Sequence, residues 1–120
     1  MKNKTLVLGA SENPDRYSNK AILSLQRKGH DIIAVGKRAG NVNGIEISAQ
    51  PVQTEDVDTV TLYLNPQNQQ PYYDYILSLK PKRIVFNPGT ENEKLERLAA
   101  KQGINVLEAC TLVMLSTGQY

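Results

Sequence analysis

Leu6-Val7-Leu8-Gly9-Ala10-Ser11-Glu12-Asn13-Pro14-Asp15-Arg16-Tyr17-Ser18-Asn19 passes from an apolar run, through small and polar residues, into a helix-patterned segment. That succession describes a strand, a loop and a helix N-terminus. The first amides of a helix lack intrahelical partners, and the macrodipole places its positive end there, so such a turn favours a phosphate. Ser18 has the chemistry of a helix cap that also contacts such a phosphate.

Working outward, the same alternation continues. Thr5–Leu8 has the pattern of a buried strand, and Asn19–Lys28 that of a helix with Ala21, Ile22 and Leu25 on one face, ended by Gly29. Asp31–Val35 is a second strand, Gly36–Asn43 a loop, and Ile45–Ile47 a short extra strand, followed by an irregular stretch over Ala49–Asp56. Thr59–Leu64 alternates as a strand. A helix is expected over Asn68–Leu79, with Pro81 preventing its continuation. Arg83–Phe86 is the next strand, and Thr90-Glu91-Asn92-Glu93 has capping-box spacing ahead of a helix carrying Leu95, Leu98 and Ala99. Ile104–Leu107 closes the series, and Thr111–Ser116 has the length of a final helical turn or two. About five main strands alternating with helices imply an α/β fold, a doubly wound parallel sheet of Rossmann-like type in one domain over residues 1–120.

Size and composition agree. The 120 residues suffice for one core, and the apolar (40%) and charged (22%) shares are those of a globular domain. A net charge of +2 with dispersed basic residues argues against nucleic acid as a partner. No apolar run approaches the roughly 20 residues that span a bilayer. Met1-Lys2-Asn3-Lys4 passes directly into a strand without a signal peptide's apolar stretch, and a lone cysteine suits a cytoplasmic location. The apolar run Leu112–Leu115 leaves room for a homodimer, or for a tail that covers its own sheet.

In an open parallel sheet, ligands lie beyond the carboxyl ends of the strands. Those ends carry Gly9-Ala10-Ser11, Gly36-Lys37-Arg38, Asn65-Pro66, Asn87-Pro88-Gly89-Thr90 and Ala109-Cys110. An ordinary NAD site has three spaced glycines in the first turn and a carboxylate after the second strand for the ribose diol. This chain has neither. Lys37 and Arg38 occupy the second position, and a charge-assisted bond to phosphate is worth about 1.5–3 kcal/mol. The expected ligand therefore carries a ribose phosphate beside its pyrophosphate, as coenzyme A and NADP do.

With Tyr17-Ser18-Asn19 behind it, the first turn (G-A-S-x-N-P-x-R) resembles that of the small stand-alone CoA-binding proteins, relatives of the N-terminal domain of the succinyl-CoA synthetase alpha subunit. The likeness runs from Lys4 to about Met114. It implies that Gly9, Ala10, Ser11, Arg16, Tyr17 and Ser18 hold the pyrophosphate, and that Gly36, Lys37 and Arg38 border the ribose 3′-phosphate. Asn65 and Pro66 would pack by the adenine or the start of the pantetheine arm, with Asn87 and Gly89 at the next strand end. The implied function is non-catalytic binding of coenzyme A or acyl-CoA. The residues leave two alternatives: an NAD(P)-binding redox protein or sensor, and a ligand-free scaffold.

Support for catalysis is thin. His30 lies between a capping glycine and a strand, away from the expected crevice, and reads as a surface histidine. Cys110 reads as a small apolar residue, with no histidine or basic partner in sequence to lower its pKa. One His and one Cys cannot close a metal site, so none is expected.

Overall fold

The computed structural model describes residues 3–120; Met1 and Lys2 lie outside the described residues. Its axis is β1 (Thr5–Ala10), whose Leu6, Val7 and Leu8 are wholly buried. A strand apolar at successive positions must be covered on both faces, and β1 is. Leu6 and Leu8 belong to one core cluster and Val7 to the other, following the two-residue alternation of a strand.

Six more strands extend the sheet: β2 (Ile32–Gly36), β3 (Gly40–Val42), β4 (Ile45–Ser48), β5 (Thr59–Leu62), β6 (Arg83–Phe86) and β7 (Asn105–Glu108). Their order is β3-β4-β2-β1-β5-β6-β7, with β3 antiparallel to β4 and every other pairing parallel. The chain first builds outward from β1 through β2 and β4. It then returns to β5 on the other side and builds outward again, which makes the sheet doubly wound. The strand order reverses between β1 and β5.

Helix α1 (Tyr17–Arg27) sets Ile22 and Leu25 against Val7, Ala34 and Ile47, and Leu115 of α5 (Thr111–Ser116) joins this cluster. The opposite face is covered by Ile76 of α3 (Tyr73–Ser78) and by Leu95 and Ala99 of α4 (Glu93–Lys101), packed on Leu62, Ile84 and Phe86. Complete burial of a side chain such as Phe86 contributes about 1.5–3 kcal/mol. Leu115 and Met114 are buried on their own domain, whereas Val113 is exposed.

Several expected boundaries move. The loop expected over Gly36–Asn43 contains β3, because Asn43 (φ 49°) and Gly44 (φ 90°) form the two-residue turn of a hairpin with β4. The sheet accordingly has seven strands. The helix expected over Asn68–Leu79 is broken into α2 (Pro66–Gln69), a 3-10 turn (Gln70–Tyr72) and α3, because Pro71 has no N–H to continue the ladder. The capping box expected at Thr90 is displaced: Asn92 caps α4, its side chain accepting from the Leu95 amide, and Thr90 Oγ1 instead donates to the Asn87 carbonyl. Ser18 is not a cap either. Arg16 takes that position without a side-chain capping bond, and Ser18 lies buried inside the first turn.

Candidate functional site

A cavity of about 950 Å³ opens at the carboxyl ends of β1, β2, β5 and β6, spanning the place where the strand order reverses. One wall is the loop Ser11–Arg16, and its shape follows from short-range hydrogen bonds. Ser11 Oγ accepts from the Asn13 amide at 3.1 Å, and Asn13 Oδ1 accepts from the Asp15 amide at 3.0 Å. These side chains fold the backbone locally in the manner of ST and Asx turns. The buried Asn19, one turn into α1, anchors the loop from below by donating to the Ser11 carbonyl at 3.0 Å.

The loop delivers the chain into α1 with its leading amides open. The amides of Asn19 and Lys20 are taken by the Arg16 carbonyl, while those of Tyr17 and Ser18 meet no acceptor among the described residues. Gly9 (φ 97°) lets this wall approach β5: a Cβ there would lie 3.0 Å from the Tyr63 carbonyl carbon and against the Leu64 side chain. Only glycine combines that backbone conformation with that space.

The opposite wall comes from the corners after β5 and β6. Asn65 caps α2, its Oδ1 accepting from the Asn68 amide at 2.9 Å, and Pro66 fills the first helical position, where a missing N–H costs nothing. Behind them the fully buried Gln69 donates to the Leu64 and Thr90 carbonyls, each at 2.8 Å, and accepts from Asn92 Nδ2 at 2.8 Å. Asn92 also donates to the Tyr73 hydroxyl. This network ties together the two corners that contribute Leu64 and Thr90 to the cavity. Gly89 (φ 91°) lies at the rim with open space where a Cβ would stand.

Of the residues that sequence reasoning assigned to the site, Gly9, Ala10, Ser11, Arg16, Tyr17 and Ser18 line the cavity together. Lys37, Arg38, Asn65 and Gly89 complete its circumference. Three others do not line it. Gly36 pairs with Ala10, and a Cβ on it would collide with the Ala10 carbonyl, so its role is strand approach. Pro66 starts a helix. Asn87 is buried, donating to Thr61 Oγ1 and the Leu62 carbonyl and accepting from the Thr111 amide, which fastens α5 to the sheet. Sequence reasoning missed Glu12, Tyr63 and Leu64 on the lining and the supporting Asn19 and Gln69. Asn19 was within reach, because it stands one helical turn from the loop.

Charge on the lining comes from Arg16, Lys37 and Arg38 against Glu12 and Asp15. None of the three cations is in an ion pair among the described residues. Tyr17 leaves 69% of its surface exposed on the lip. The Tyr63 hydroxyl points inward beside Thr61 and Thr111 without a hydrogen-bond partner among the described residues, and burial pushes its pKa up to about 12. Cys110 is partly buried at the start of α5 and outside the cavity lining. His30 lies at the amino ends of the strands, where its Nδ1 accepts from the Asn3 amide and its ring meets Tyr120 edge-on. Among the described residues no cluster of His, Cys, Asp or Glu could hold a metal, and no helix is long and apolar enough to cross a membrane.

A mostly parallel sheet flanked by helices, with a cavity at its strand reversal, places the chain in the Rossmann-like class of α/β folds. Residues 3–116 match the family described as CoA binding domain, and the chain belongs to that family. A solved structure described as an uncharacterized protein is 52% identical, with a TM-score of 0.97, covering 100% of this chain and 99% of that one. A hypothetical protein from Pyrococcus horikoshii OT3 is 20% identical, with a TM-score of 0.87 over 97% of this chain and 83% of its own. A Thermus thermophilus protein shares the fold at 21% identity and a TM-score of 0.86, covering 99% of this chain and 91% of its own. No curated protein matches the chain.

Proposed function

We propose that this chain binds coenzyme A or an acyl-CoA across the carboxyl rim of its sheet, as a binding module without a reaction of its own. The observation that carries the reading is one cavity joining two phosphate-seeking features: the open helix start at Tyr17 and Ser18, and the cations Lys37 and Arg38, which have no ion-pair partner among the described residues. Family membership supports the same ligand class.

The donor set fits such a ligand. Gly9 and Ala10 let the diphosphate approach the backbone, the amides of Tyr17 and Ser18 with the α1 dipole receive its charge, and Arg16 adds an exposed cation. Lys37 and Arg38 take the ribose phosphate, while Asn65, Leu64 and Gly89 border the pantetheine side. The exposed Tyr17 ring supplies an apolar lip. The unbridged Cys110 supports a reducing, cytoplasmic setting.

Isothermal titration with CoA, dephospho-CoA, NADPH and NADH tests the proposal. CoA is expected to bind more tightly than dephospho-CoA by roughly tenfold, the worth of one charge-assisted bond. Binding of the nicotinamide nucleotides alone would reject the reading in favour of a redox protein or sensor. Indifference to all four would favour the scaffold.

A further inference from the structure

We propose that Glu12 is a positioning residue: it clasps the diphosphate loop to β3 and thereby sets this chain's preference for a phosphorylated ribose. The inference rests on the reading of the site just given. Glu12 stands in the loop after β1, yet its Oε2 accepts from the amide of Asn41 in β3 at 2.8 Å. Its chain lies flat over Gly40, where a Cβ would come within 2.5 Å of Glu12 Cδ and 2.6 Å of Cγ. Asn41 Oδ1 in turn accepts from the Gly44 amide at 2.9 Å, so the clasp engages the hairpin turn as well.

Lys37 and Arg38 lie between two fixed points. Gly36 is held against Ala10 on β1, and Gly40 is pressed under Glu12. β3 itself is three residues long, at the edge of the sheet, and among the described residues it pairs with β4 alone. So short an edge strand is weakly held by its ladder. The tether to the β1 loop therefore determines how far the basic corner stands from the diphosphate wall. Electrostatics alone predicts the opposite effect. A carboxylate on the same cavity lining as Lys37 and Arg38 repels an incoming anion, so its removal would strengthen binding. Glu12 is exposed and its field is screened by water, so the loss of positioning outweighs the relief of repulsion.

The test compares CoA with dephospho-CoA by calorimetry in the wild type, E12A, E12Q, G40A and the double variant, alongside Asn41 amide exchange in ligand-free protein. Wild type is expected to favour CoA by roughly tenfold. E12A and G40A each bring that ratio down to about threefold or less and speed Asn41 exchange by about fivefold, the loss of one hydrogen bond. E12Q, whose amide oxygen still accepts from Asn41, keeps both. G40A adds nothing in the E12A background, because the side chain its methyl would displace is gone. An unchanged ratio in E12A with faster Asn41 exchange overturns the proposal, and so does a raised ratio, which would make Glu12 an electrostatic brake. A wild type that ignores CoA while Asn41 is protected overturns the reading of the site itself, and the ribose preference with it.

Discussion

Lys37 and Arg38 sit on the cavity lining with no acidic partner among the described residues, so their charge is available to a ligand. Replacing both by alanine is expected to weaken CoA by about tenfold while leaving dephospho-CoA within about twofold, as measured by calorimetry. Tyr63 gives a stability prediction of opposite sign. Its hydroxyl is buried beside the Thr61 and Thr111 hydroxyls, which bond each other, and has no hydrogen-bond partner among the described residues, so Tyr63→Phe removes an uncompensated polar group. A gain of about 1 kcal/mol is expected in urea unfolding. At this scale the sequence showed where residues stand and not which way they face. Both Asn65 and Asn87 follow strands, yet Asn65, three residues past β5, borders the cavity, while Asn87, directly after β6, turns inward to bind Thr61 and Thr111. That choice depends on α5 arriving overhead, and nothing near Asn87 in the chain announces it.

The corners after β5 and β6 are tied to each other through Gln69 and Asn92. Gln69→Leu keeps the volume, strands the Leu64 and Thr90 carbonyls, and takes one of its two acceptors from Asn92 Nδ2. A loss of about 3 kcal/mol in urea unfolding is expected, with weaker CoA binding because both corners loosen. The central strands were legible because each is a run of apolar or β-branched residues between turn signals. β3 was not, since Gly40-Asn41-Val42 has little strand character, although the Asn43-Gly44 turn that creates it stood in plain view. The break at Pro71 was overlooked for a related reason: the apolar spacing on either side of it suits one continuous helix, and only the missing N–H interrupts it.

Across the whole molecule, the end of the sheet opposite the cavity is closed by Tyr120. Its ring lies 4.5 Å from the Arg83 guanidinium, its hydroxyl bonds Thr5, and its edge meets His30. Burial, with the Arg83 charge adding to it, lowers the His30 pKa below its ordinary 6.5. The unfolded chain therefore takes up this proton first. Between the lowered value and 6.5, stability rises with pH, and above 6.5 the group contributes no slope. Protonation also removes the lone pair that accepts from Asn3. His30→Gln is expected to flatten that part of a urea-midpoint profile taken between about pH 5 and 7.5, while leaving CoA affinity at neutral pH unchanged.

The return from β4 to β5 has a last consequence. Residues on the cavity wall come from before and after that crossing, Gly9 to Ala39 on one side and Tyr63 to Thr90 on the other. Neither half of the chain holds the pocket alone. A molecule seated there acts as a stitch between the halves, so a protein nicked within the irregular stretch 49–56 should come apart readily when empty and stay joined when filled.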